Sequence, residues 1–236
     1  MSAACPWDGW ARVPPEWCEE SLCGWVRQPG NTWSNLGFLI VGIAILRMAA
    51  KGRSPHLRGL GIVCVVTALG SAFYHASETF AGRVADYVGM YMGASYMLAV
   101  NVSRWRRRSG TPMLVLFWVT LVAPLATMLF APSLATPIYV VETVVCCLGL
   151  EIALFVRDRK STRYRFLITY WAIFLIGYGF WQLDIHHILC NPRNHVLSGH
   201  ALWHLLNAAA FFFLFRYYEQ FDALRGERSS RTARLP

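Results

Sequence analysis

The chain has 236 residues, 56% hydrophobic and only 15% charged, with 22 basic residues against 13 acidic and a net charge of +9. An ordinary soluble domain is excluded because the apolar residues come in blocks of about 20, the length a helix needs to cross a hydrocarbon core about 30 Å thick. Nucleic acid is excluded as a partner because the basic residues form short clusters between apolar blocks, the pattern of topology determinants.

Residues 1–31 are rich in Trp, Pro and acidic side chains, with no basic start leading into an apolar run. They are expected to be an extracytoplasmic segment of the mature protein, not a signal peptide. Backbone polar groups in lipid must be satisfied internally, so each apolar block is read as a helix. The blocks predict spans at roughly 32–50, 59–78, 84–102, 112–131, 135–156, 166–185 and 199–218. Short connections predict antiparallel neighbours. The fold expected is an all-α seven-transmembrane bundle over 32–218, with a basic tail at 219–236.

The loops alternate in charge. Arg47, Lys51, Arg53 and Arg58 flank the first connection, and Arg104, Arg106, Arg107 and Arg108 fill the third. Arg157, Arg159, Lys160, Arg163 and Arg165 fill the fifth, and Arg216, Arg225, Arg228, Arg231 and Arg234 follow the last span. Only Arg12, Arg27, Arg83 and Arg193 fall on the opposite side. The positive-inside rule then puts the C-terminus in the cytoplasm and the N-terminus in a periplasm or lumen. Cys5, Cys18, Cys23 and Cys190 all fall on that outer side, where disulfides persist; four cysteines allow three pairings. Cys64, Cys146 and Cys147 read as apolar filler within spans.

Polar residues are costly in lipid and therefore informative. The second span contains Ser71 and His75, the third begins with Asp86, and the seventh begins with His200 and His204. Residues four apart share a helix face. Given the alternating directions of the spans, all five come out near the outer end. His200 and His204 can chelate one metal, with His75 as a third ligand. Three neutral imidazoles and an open position suit catalytic zinc. Asp86 can shuttle a proton from attacking water to a leaving group, and Ser71 can donate to a developing oxyanion. Taken singly, each feature has a plainer reading: His-x-x-x-His as packing, Ser71 as a helix-contact residue, Asp86 as a cap or a partner of Arg83. Glu142 and Glu151 are expected to make structural hydrogen bonds. Asp184, His186, His187 and His195 are expected to be solvated loop residues. Trp171, Tyr178 and Trp181 are read first as an interfacial belt.

With those residues in view, Ser71-x-x-x-His75, Asp86 and His200-x-x-x-His204 resemble the signature of the seven-helix hydrolase superfamily that contains alkaline ceramidases, adiponectin-type receptors and Per1-type lipid-remodelling proteins. Glu16-Trp17-Cys18-Glu19-Glu20, Asn31-Thr32-Trp33-Ser34-Asn35 and Trp181-Gln-Leu-Asp184 leading to Cys190 are similar to the alkaline ceramidase branch. The resemblance implies zinc on His75, His200 and His204, Asp86 as proton shuttle, Ser71 as oxyanion donor, and a Cys18–Cys190 disulfide. Cys5 and Cys23 are then expected to pair. It also implies a calcium site at Glu16, the Trp17 carbonyl and Glu19, although Ser21 and Gln28 stand where the family has Asn and Glu.

The activity expected is hydrolysis of the N-acyl bond of ceramide or a related membrane lipid, at an active site on the periplasmic or lumenal side. The alternatives are an esterase of the same superfamily acting on phospholipid or GPI-lipid, and a receptor with a structural zinc. A retinal protein is disfavoured because the only lysines, Lys51 and Lys160, lie in predicted loops. No obligate protein partner is expected.

Overall fold

The computed structural model describes residues 5–13, 16–52, 55–107 and 111–232, with side chains for all of these except 55, 56 and 222–232. Arg53, Arg108 and Arg234, and the side chains of Arg225, Arg228 and Arg231, lie outside the described residues. A one-turn helix α1 (Pro29–Trp33) leads into α2 (Leu36–Lys51), followed by α3 (Pro55–Ser77), α4 (Phe80–Arg106) and α5 (Thr111–Phe130). Helix α6 (Ala135–Val140) continues through a π-helical stretch, Val141–Leu148, into α7 (Gly149–Asp158); α8 (Arg165–Ile185) and α9 (Gly199–Thr232) complete the chain. The described residues form no sheet, only an isolated bridge between Arg12 and Thr79.

All seven apolar blocks are helical. Five stretches, Pro29–Lys51, Leu57–Ser77, Thr111–Phe130, Pro132–Asp158 and Arg165–Ile185, are long and apolar enough to cross a membrane. Their outward faces are apolar too. Leu114, Val115, Trp118, Val119 and Val122 of α5 are each more than half exposed, and only 11% of that helix's most apolar stretch is buried. So large an apolar surface suits hydrocarbon as its solvent. Helix α9 runs past the expected end near 218, because Ala223, Leu224 and Arg225 are helix formers and no Pro intervenes.

Helices α3 and α4 approach to backbone contact. A Cβ built on Gly70 would lie 2.2 Å from the Ala85 carbonyl oxygen, and one on Gly89 2.6 Å from Thr67 Cα. Only glycine fits at either point. The next residues along each chain, Ser71 and Asp86, are thereby brought side by side. The turn between these helices passes through Glu78 at φ 50°, and Thr79 caps α4 by accepting from Gly82 N–H at 3.0 Å. The N-terminal segment holds that turn: Val13 N–H donates to Glu78 O at 3.0 Å and Phe80 N–H to Ala11 O at 2.8 Å. The buried Glu78 carboxylate takes Arg12 at 3.4 Å, Arg27 at 3.6 Å and the Ser21 hydroxyl.

Two disulfides, Cys5–Cys23 and Cys18–Cys190, fix the segment, the second to the loop between α8 and α9. Asp184 corrects the expectation of a solvated loop residue. It is fully buried in the last turn of α8 and accepts from Cys18 N–H at 2.9 Å and His200 N–H at 3.0 Å. One carboxylate thus joins the N-terminal segment to the start of α9, whose free N–H groups favour an anion. His186 and His187 are exposed, as expected.

A second polar cluster lies at the opposite end of the bundle. Arg104 of α4 donates to both oxygens of Glu151 of α7 at 2.9 and 2.7 Å, and to the Tyr217 hydroxyl of α9 at 3.0 Å. Tyr217 in turn donates to Glu151, and the guanidinium packs 3.9 Å from the Phe221 ring centre. Glu142 accepts from Ser95 at 2.9 Å, the structural hydrogen bond expected of it.

Candidate active site

Three imidazoles converge at the end of the bundle where the N-terminal segment packs. His75 comes from the last turn of α3, and His200 and His204 come from the first two turns of α9. Ser198 caps α9, accepting from Ala201 N–H at 2.9 Å, and sets where the two α9 histidines point. All three are buried, with one nitrogen from each lying within 4.8 Å of the other two. His75 Nε2 and His200 Nε2 are 3.1 Å apart.

The surrounding hydrogen bonds decide which nitrogens carry protons. His75 Nδ1–H donates to the Gln28 side-chain amide oxygen Oε1 at 2.8 Å, which leaves Nε2 as a lone pair. The single Ser34 hydroxyl proton goes to Asn31 O at 2.9 Å, so Ser34 Oγ accepts from His204 Nδ1–H at 2.8 Å. Asn35 Nδ2, 3.3 Å from that same nitrogen, donates to Asn31 O at 2.9 Å. His204 Nε2 is therefore also a lone pair. These tautomers are assigned from the hydrogen-bond network. Lone pairs facing one another in a buried pocket call for a shared cation, and a set of neutral imidazoles is the donor set that divalent transition metals favour. Gln28 and Ser34 are the outer partners that orient such ligands. The only other candidate group among the described residues, Cys18, His187 and Cys190, has both sulfurs committed to a disulfide.

Ser71 and Asp86 stand beside the histidines. Ser71 Oγ is 3.4 Å from His204 Nε2 and also hydrogen-bonds the Asp86 carboxylate. Asp86 is not the α4 cap, since Thr79 is, and it forms no ion pair with Arg83 among the described residues. All four of Ser71, Asp86, His200 and His204 line a cavity of about 990 Å³, its open mouth included. From the histidines the cavity continues past Gly93 and Met97 to Tyr170 and Phe211, an apolar interior between α4, α8 and α9. Trp181, read from sequence as interfacial, forms part of its wall and stacks on Trp203 with ring centres 5.4 Å apart. Trp17 stacks on His200 at 3.8 Å and closes one side.

The residues named for calcium are differently engaged. Glu19 is buried: Oε1 accepts from Gly30 N–H at 2.8 Å and from His195 Nδ1–H at 3.1 Å, and Oε2 from Asn31 N–H at 2.9 Å. Glu19 thereby caps α1 from a distance, which Gln28 at the capping position does not do. The Gln28 amide is divided between Glu19 O at 3.1 Å, Asn31 at 3.3 Å and His75, and Ser21 is turned onto Glu78. Glu16 is exposed and lines the cavity. Of the residues named for calcium, Glu19 is thus engaged by protein groups, while Glu16 makes no ion pair among the described residues. His195, expected to be solvated, is instead the partner of a buried carboxylate.

Sequence reasoning missed Gln28, Ser34 and Glu19 as supports of the site. For Gln28 and Ser34 the available signal was a polar run, Gln28 to Asn35, at the start of the first apolar block; Glu19 lies outside that run.

Comparison with known proteins gives a consistent picture. The Ceramidase family model matches residues 14–235. Alkaline ceramidase 1 of Homo sapiens is 22% identical over 216 residues, which cover 83% of this chain and 78% of that protein. Alkaline ceramidase 1 of Mus musculus is 24% identical over 214 residues, covering 83% and 75%.

Proposed function

The chain belongs to the ceramidase family, and from that premise we propose that it is a zinc-dependent intramembrane amidase cutting the N-acyl bond of ceramides to a sphingoid base and a free fatty acid. The observation that carries this reading is the convergence of imidazole lone pairs beside Asp86 and Ser71 at the polar end of a long apolar cavity. A two-chain lipid lying in such a cavity presents its amide at headgroup depth.

The membrane arrangement proposed is seven spans over 32–218, with α4 and α9 joining the five more apolar stretches. The N-terminal segment 1–31 and the active site face the periplasm or lumen, and the basic tail 219–236 is cytoplasmic. What supports it is the charge asymmetry of the loops and the position of both disulfides.

His75, His200 and His204 would hold the zinc, whose Lewis acidity polarises the acyl carbonyl and acidifies water. The chain's own groups do the rest. Asp86 takes the proton of the attacking water and delivers it to the leaving nitrogen. While Asp86 is ionised, the Ser71 hydroxyl is drawn to it; once Asp86 is protonated, that hydroxyl is free to turn to the carbonyl oxygen as charge builds there. Gln28 and Ser34 keep His75 and His204 in the metal-binding tautomer. Trp17 and the apolar walls exclude water, which strengthens each of these interactions.

The test is acyl release by purified protein on N-acyl sphingoid bases and on phosphatidylcholine in parallel, with products identified by mass spectrometry. Fatty acid and sphingoid base are expected from the first only, and no product after stringent zinc removal. Release from the ester alone would overturn the amidase reading.

A further inference from the structure

Arg83 is unexplained by the account so far. It lies one turn before Asp86 on α4, on the same helix face. Its side chain is half-buried and lines the same cavity as Asp86, Ser71 and the α9 histidines. The guanidinium sits 5.8 Å from the Tyr87 ring centre, hydrogen-bonds that side chain and acts on Asp86 through its charge, but forms no close ion pair among the described residues. An arginine serving only to reach lipid headgroups would extend along the outer surface of the bundle. Glu16 lines the cavity too, and because it is exposed it marks where the cavity opens. The mouth therefore carries one cation and one anion, with Arg83 the nearer in sequence to the reacting groups.

The reaction creates that pair of charges. A neutral amide and one water become a carboxylate and an ammonium: the C–N bond breaks, a C–O bond forms, and both protons of the water end on the nitrogen. We infer that Arg83 is the binding subsite for the fatty-acid carboxylate released at the metal centre, and that Glu16 at the same mouth receives the sphingoid ammonium. This rests on the amidase reading. A guanidinium offers paired N–H donors that match a carboxylate and stays charged throughout, so it holds the product and not the neutral amide from which the product forms. Two opposite charges give the two products separate ways out of one cavity. Neither charge was needed to hold the substrate, whose hydrocarbon chains fill the apolar interior.

Product inhibition reads this directly. In nanodiscs, with a fluorescent N-acyl sphingoid substrate, hexadecanoate is expected to inhibit at least about tenfold more strongly than hexadecanamide, a difference the size of one charge-assisted contact. That ratio should fall in Arg83→Gln to the residual preference zinc alone gives a carboxylate, and be partly retained in Arg83→Lys, which keeps the charge but not the paired donors. In Glu16→Gln, inhibition by sphinganine should weaken while inhibition by hexadecanoate does not. An unchanged carboxylate-to-amide ratio in Arg83→Gln overturns the inference. So does a loss confined to lipids bearing a phosphate at C1, which would make Arg83 a headgroup anchor. A readout independent of turnover is the 13C spectrum of [1-13C]hexadecanoate with wild-type and Arg83→Gln protein, where a bound carboxylate signal is expected in the first only. If no N-acyl lipid is hydrolysed, the amidase reading fails by itself, and the spectrum still decides whether Arg83 binds carboxylate.

Discussion

The bundle has a buried polar cluster at each end, and the two are built on opposite principles. At one end Arg104, Glu151 and Tyr217 neutralise and saturate one another, with Asn101 and Phe221 completing the shell, and none of the five lines the cavity. At the other end the outer nitrogens of His75 and His204 are satisfied, while their inner nitrogens have only His200 Nε2 at 3.1 Å and the Ser71 hydroxyl at 3.4 Å, and the buried His200 Nδ1 has no partner among the described residues. A closed network ties helices together. An incomplete one beside a cavity is prepared for something the chain does not itself provide. Burial and charge alone do not separate the two cases; hydrogen-bond completeness does.

Substitutions that break this contrast should have graded effects. His204→Ala removes a lone pair from the incomplete cluster, and acyl release should fall by at least about a thousandfold, close to 4 kcal/mol in the barrier. Zinc content measured by mass spectrometry should fall with it. Asp86→Asn keeps the metal donors and removes the proton shuttle, so a loss of about 10²–10⁴-fold in kcat is expected at unchanged zinc content. Gln28→Ala frees the His75 tautomer and should weaken zinc binding by about 10–100-fold in a chelator competition, with activity recovering at high zinc. Glu151→Gln breaks the closed cluster and leaves a buried guanidinium under-compensated. It should cost roughly 3–5 kcal/mol of stability, seen as a lower Tm, while the zinc content per folded molecule stays the same. At the small end, replacing calcium by a calcium-selective chelator should shift neither Tm nor activity, because Glu19 is held by backbone N–H groups and His195. A calcium-dependent rise in Tm would contradict that account.

The sequence made one half of the comparison legible and left the other obscure. Ser71, His75, Asp86, His200 and His204 could be read because a polar side chain in a predicted span has no inexpensive explanation, and the helical repeat says which residues share a face. The helices themselves were legible from block length. Gln28, Ser34 and Asp184 could not be read in the same way, since just outside or at the very end of an apolar block a polar residue is unremarkable and its burial depends on what folds over it. Here a disulfide-bound segment does so. The Arg104–Glu151 pair spans 47 residues across two helices, and no local periodicity announces a contact at that range. The π-helical stretch from Val141 to Leu148 likewise has no marker in a run of apolar residues.

X-ray absorption at the zinc edge on the purified protein examines the central claim most directly. One zinc per chain is expected, with an imidazole-rich first shell at about 2.0–2.1 Å, no sulfur, and one imidazole fewer in His204→Ala. A sulfur-containing shell, or a zinc shell unaltered by His204→Ala, would contradict the account.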